Sequence, residues 1–130
     1  NVVDYDYILN DLIGINQANR LMSVAYDAYN ATQFVINATT KGLPMLPFSQ
    51  ALGNFNKPTK EMERLMLSGR VVLDNNEINR HCFRNVVLAR DHNGNIKPSK
   101  QFVEKKIDGV IVMLEALGAY MADPCYNALL

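Results

Sequence analysis

Cysteine is scarce in this chain. Cys82 and Cys125 are the only two in 130 residues, and they have no metal-ligand spacing. Cys82, beside Phe83, reads as a buried thiol, which suits a reducing compartment. Long apolar runs are missing too, so no membrane-spanning helix is expected. No secretory signal is legible and the first residue is Asn1, which suggests a piece of a longer chain. A Gly-x-x-x-x-Gly-Lys-Ser/Thr loop is absent, which excludes a P-loop ATPase built from these residues alone. No Gly-x-Ser-x-Gly elbow occurs. His81 and His92 lack ligand spacing and read as a helix side chain and a turn residue. Net charge is absent as well, with 13 basic and 13 acidic side chains.

What is present is 48% hydrophobic residues, enough to core one soluble domain over 1–130. The charges are unevenly placed. Residues 1–30 carry Asp4, Asp6, Asp11 and Asp27 against Arg20. Residues 80–106 carry Arg80, Arg84, Arg90, Lys97, Lys100, Lys105 and Lys106 against Asp91 and Glu104, an excess of five from seven against two. Such a cluster is a footprint for a polyanion or a solvated basic face.

In chain order, Asp4 is expected to cap a helix over roughly 5–19, with Tyr5, Ile8, Leu9, Leu12 and Ile15 at helical spacing. Arg20–Tyr26 reads as a strand ending on Asp27. Asn30, with Gln33 as a capping-box partner, opens a helix that packs Phe34, Val35 and Ala38 and stops at Gly42. Leu43–Phe48 reads as an edge strand, because Pro44 and Pro47 cannot donate to a ladder. Two strands joined by a helix are most simply parallel. Ser49–Lys57 reads as a loop into a helix with Pro58 near its first turn and Met62, Leu65 and Met66 inward. Val71–Leu73 is a short extended piece. Asn75 or Asn76 caps a helix burying Ile78, Cys82 and Phe83. Asn85–Arg90 and Asn95–Lys97 form a hairpin about Asn93-Gly94, with a polar, basic tip and second arm.

The last helix is expected over about 102–122, opened by Lys105-Lys106-Ile107-Asp108-Gly109. Val103, Ile107, Val110, Ile111, Leu114, Leu117 and Met121 fall in one arc, and Asp108 flanks it. An acid against the protein body needs a partner, from the adjacent lysines, first-turn amides or a metal ion. A solvated helix-start acid is the plainer alternative. Asp27, at the carboxyl end of a strand, is the second acid marked by position. Converging carboxylates suit Mg²⁺ or Mn²⁺, and two such ions can drive phosphodiester cleavage. The basic hairpin would hold the phosphate backbone.

Several strings carry a resemblance. Val3-Asp4-Tyr5-Asp6, Ala25-Tyr26-Asp27 with Asn30–Gln33, Gly42–Met45, Phe48-Ser49-Gln50 and Pro58–Glu63 come first. Asn85-Val86-Val87, Asp91–Pro98, Lys105–Gly109 and Ala116-Leu117-Gly118 follow in order. Together they resemble the C-terminal nuclease domain of the large terminase subunit of tailed bacteriophages and prophages, over nearly the whole chain. The resemblance implies an α/β ribonuclease H-like fold truncated before its first three strands, with a β-hairpin before the C-terminal helix. It implies a metal-dependent endonuclease that cuts concatemeric viral DNA in the cytoplasm of the bacterial host. Double-stranded DNA, an ATPase domain, the small terminase subunit and the portal are the implied partners.

Asp27 and Asp108 match metal-binding acids of that family. Asp91 matches a frequent hairpin acid, though a turn-forming role is preferred, and Gln50 matches a polar position of unassigned role. Arg90, Lys97, Lys100, Lys105 and Lys106 are the expected DNA contacts. The family's first catalytic acid has no counterpart here, and Leu73 and Glu77 stand where a histidine and a proline are usual. The isolated chain is therefore expected to bind Mg²⁺ or Mn²⁺ weakly, to cleave little, and to self-associate through a bare strand edge or the exposed apolar face of its sheet. A non-catalytic DNA-binding or assembly module and another ribonuclease H-like enzyme, such as a resolvase or transposase, are the competing readings.

Overall fold

A computed structural model describes residues 2–29, 31–123 and 125. The backbone divides into two compact units, 1–49 and 50–130. No helix among the described residues is long and apolar enough to cross a membrane.

The first unit holds α1 (Tyr5–Asn19), β1 (Val24–Asp27), α2 (Thr32–Thr40) and β2 (Met45–Phe48). Asp4 caps α1 as expected, its Oδ1 accepting from Asp6 N–H at 2.9 Å. The buried stripe of α1 differs from the expected one. Leu9 joins Ala38 and Leu43 in the core, with Leu12, Ile13, Leu21, Phe34 and Met45 packed against them. Tyr5, Ile8 and Ile15 are exposed instead. The strand begins at Val24, not Arg20, because the preceding residues complete the helix exit. Arg20 adopts φ 50° and its N–H reaches Asn16 O at 2.8 Å. Leu21 N–H is taken by the Asn16 side chain at 2.8 Å.

The expected Asn30 cap lies outside the described residues. Gln33, its expected partner, donates to Asn37 Oδ1 at 3.0 Å. Gly42 ends α2 with φ 86°, and a Schellman pair follows: Gly42 N–H to Thr39 O and Leu43 N–H to Ala38 O, each 3.0 Å. These bonds occupy the backbone through Leu43, so β2 starts only at Met45. β1 and β2 are parallel, Val24 opposite Met45 and Asp27 opposite Phe48. Among the described residues β1 pairs with no other strand.

The second unit holds α3 (Leu52–Leu67), α4 (Glu77–Asn85), β3 (Val86–Arg90), β4 (Ile96–Lys100) and α5 (Asp108–Ala122). Its buried apolar residues are Phe55, Cys82, Ile96, Ile107, Val110, Leu114 and Ala119. α3 starts well before the position expected from Pro58, which lies inside it and buried. Proline removes one i→i−4 bond, a cost of about 3 kcal/mol in a helix interior. Complete burial of Phe55 offsets a comparable amount. Gly69 ends α3 as expected, in a second Schellman pair with φ 68°. Met66 and Ile78, both expected inward, are exposed. Val71–Leu73 forms no strand.

Asn76, of the two candidates, caps α4, its Oδ1 accepting from Ile78 N–H at 2.8 Å. The hairpin is antiparallel, Val86 opposite Lys100 and Arg90 opposite Ile96, with Gly94 at φ 79°. Its two arms are unequally buried. The basic second arm buries Ile96 and Pro98, whereas Val87 and Leu88 of the first arm are exposed.

α5 also starts later than expected. Val103 is 76% exposed and lies outside the helix, which opens at Asp108 behind a buried Ile107. Lys105 and Lys106 therefore sit in the approach to the helix. Gly109 is the contact point with α4. A Cβ there would stand 2.7 Å from Asn79 Oδ1 and 3.3 Å from Cys82 Sγ. Asn79 has little room to yield, since its Nδ2–H binds Asp74 Oδ1 at 3.0 Å. Gly109→Val is expected to destabilise the chain by about 1–3 kcal/mol through overpacking, read as a lower urea midpoint; an unchanged midpoint would refute this close approach.

Candidate functional site

Asp27 is the last residue of β1, where functional groups of parallel sheets collect. It is half-buried, and its Oδ1 accepts from Tyr29 N–H at 3.1 Å. The other oxygen accepts no hydrogen bond among the described residues. Asp108 is the first residue of α5 and exposed. It does not lie against the protein body as its flank position suggested. It is the first residue of the helix, and the buried residues Val110, Leu114, Glu115 and Ala119 all lie farther along it. Asp27 and Asp108 are thus carboxylates with oxygen atoms available to a hard divalent cation. They belong to different units of the backbone. Among the described residues no group of three or more His, Cys, Asp or Glu side chains is assembled to hold a metal ion.

Asp91 is differently employed. Its Oδ1 accepts from Asn93 N–H at 2.9 Å and Asn95 N–H at 2.8 Å, and its Oδ2 from Asn95 Nδ2–H at 2.9 Å. It builds the turn, the role preferred for it from sequence. The Asn95 side-chain amide holds the carboxyl below its ordinary value, helped by the Asn95 and Asn93 backbone amides and by Lys60, against a smaller opposing effect of burial. A carboxyl with a lowered folded pKa contributes stability above its unfolded value and loses it as pH falls through the folded one. The hairpin amides of Asn93 and Asn95 are therefore expected to lose exchange protection below the ordinary carboxylate range. Asp91→Asn should flatten that acid dependence, and a wild-type profile in the variant would count against the assignment.

The basic residues separate into two groups. Arg90, Lys100, Lys105 and Lys106 are exposed. Lys97 is half-buried, with Nζ donating to Gln50 O at 2.7 Å and lying 5.6 Å from the Phe55 ring centroid. Gln50, without an assigned role in the sequence, also donates from Nε2 to Glu115 Oε1 at 3.0 Å. Glu115 is 4% exposed, in the middle of α5. Sequence reasoning passed over it. The available signal was a single acid inside the apolar run Met113-Leu114-Glu115-Ala116-Leu117, where a charge needs an internal partner.

Comparison with known proteins gives one consistent answer. A family model described as the terminase large subunit, endonuclease domain, matches residues 2–123. The large terminase subunit of Enterobacteria phage HK97 is 32% identical over 119 residues, 90% of this chain and 24% of that protein. Protein YmfN of Escherichia coli strain K12 is 33% identical over 122 residues, 92% of this chain and 27% of that protein. The chain thus spans about a quarter of the length of these relatives. The crystal structure of the HK97 large terminase superposes with a TM-score of 0.78 at 32% identity, covering 90% of this chain and 25% of that one. The nuclease of the large terminase from thermophilic phage G20c gives 0.70 at 16% identity, covering 89% and 62%. The fold is accordingly mixed α/β and ribonuclease H-like, as expected from the sequence.

Proposed function

The chain belongs to the family of terminase large-subunit endonuclease domains, and from that premise we propose that it is part of a metal-dependent endonuclease cutting concatemeric viral DNA during genome packaging. The carrying observation is Asp108, an exposed carboxylate at the head of α5 in a chain matched by the family over residues 2–123. Asp27 at the end of β1 is its proposed companion. Both would hold Mg²⁺ or Mn²⁺ through carboxylate oxygens, and the bound ions would activate water and stabilise the leaving oxygen. Asp91 has the poorest fit to such an ion, because both of its oxygens serve the turn.

Double-stranded DNA is the substrate, held by Arg90, Lys100, Lys105 and Lys106. The full-length protein would work beside an ATPase domain, the small terminase subunit and the portal, in the cytoplasm of the bacterial host. With two of the acids only, the 130-residue chain is expected to bind Mn²⁺ weakly, with Kd on the order of 1 mM, and to nick plasmid little. Isothermal titration of Mn²⁺ should show this binding lost in Asp27→Asn and in Asp108→Asn. Binding indifferent to both would favour the non-catalytic DNA-binding reading.

DNA binding by this chain should weaken with salt. Alanine at each of Lys100, Lys105 and Lys106 should reduce the slope of log K against log[salt] by about 0.9 for each phosphate no longer neutralised. A slope unchanged in the triple variant would remove these lysines from the interface.

A further inference from the structure

We propose that Gln50, Lys97 and Glu115 form a positioning link that locks the hairpin and the Asp108-bearing helix onto the start of α3. Its catalytic meaning rests on the nuclease reading, but its geometry does not. The three residues are far apart in sequence, 65 positions from Gln50 to Glu115 and 47 from Gln50 to Lys97. Gln50 stands between the opposite charges. Its side-chain amide donates to the carboxylate and its backbone carbonyl accepts from the ammonium. A buried carboxylate left without such donors is strongly disfavoured, so Glu115 constrains how α5 can sit.

Two further tethers act on the same strand. Ile96 N–H donates to Asn56 Oδ1 at 3.0 Å, and the Lys97 ammonium lies over Phe55. All these partners come from the first turns of α3 or the residue before its cap. Glu115 lies seven residues after Asp108, two helical turns, and therefore on the same side of α5. Any rotation or slide of α5 that moves Asp108 must break the Gln50–Glu115 bond. Lys97, by the same geometry, is an internal strut and does not reach for phosphate.

Hydrogen exchange on the 130-residue chain tests this link. Gln50→Leu and Glu115→Leu should speed exchange in segments 96–100 and 108–115 by about tenfold or more relative to α1 amides, as expected when a buried hydrogen bond is removed. Glu115→Gln keeps an acceptor and should restore most of the protection. Lys97→Met should loosen 96–100 yet leave the salt slope of DNA binding unchanged, in contrast to Lys100→Ala. Acceleration spread equally over every helix, or none, would overturn the link. So would a salt slope lowered by Lys97→Met as much as by Lys100→Ala. A chain that fails to bind DNA would count against the nuclease reading and leave the exchange result to decide the link alone.

Discussion

Asn in place of Asp108 is expected to lower Mn²⁺- or Mg²⁺-dependent DNA cleavage by the full-length subunit on the order of 10²–10³-fold, the usual loss when one charge-stabilising group leaves a reacting centre. Stability should barely change. Asp108 is exposed and touches solvent at the head of α5, where an acid contributes about 0.3–1 kcal/mol through the helix dipole. Asn keeps the size and the hydrogen-bonding oxygen but removes the charge that a divalent ion requires. A plasmid-linearisation time course, paired with a urea melt of the same preparation, separates the two effects. Cleavage within about threefold of the parent would reject Asp108 as a metal-holding residue, since loss of a ligand is expected to cost far more.

Phe55→Ala carries the largest expected loss of stability, about 3–5 kcal/mol. Phe55 is 0% exposed and sits in the first turn of α3, three residues before the buried Pro58. That proline deprives the helix of an internal hydrogen bond, so side-chain burial has to hold this part of α3 in place. The same ring lies under the Lys97 ammonium, an interaction worth about 0.5–2 kcal/mol by itself. A domain of this size has a total stability of about 5–15 kcal/mol. Circular dichroism with urea should therefore show the midpoint fall steeply, and the hairpin should lose protection with α3. A loss under about 1 kcal/mol would mean that Phe55 is not the anchor of the helix start.

The resemblance itself was legible in the sequence, and the match over residues 2–123 bears it out. So were the features governed by short-range chemistry. Asp4 and Asn76 cap their helices because a side-chain oxygen can reach amides two or three residues on. Gly42, Gly69 and Gly94 take positive φ where helices stop and the hairpin turns, because no Cβ opposes it. Asp91 builds its turn for a similarly local reason. The parallel pairing of β1 with β2 follows from two short strands joined by one helix.

Tertiary packing decided the rest. Pro58 is a helix-start signal by local preference, yet buried Phe55 carries α3 back to Leu52. Val103 continues the apolar arc on paper, yet it is exposed and α5 waits for Gly109, the residue that allows α4 close. The basic arm of the hairpin lies inward because Ile96 and Pro98 fill the unit's core, and Lys97 follows them in, reaching a backbone carbonyl instead of water. Gln50 and Glu115 meet across 65 residues. Caps and turns are settled within a few residues of backbone, where residue type sets the geometry. Which face of a strand is buried, where a proline is tolerated and which acid finds a partner depend on the burial gained between segments distant in sequence.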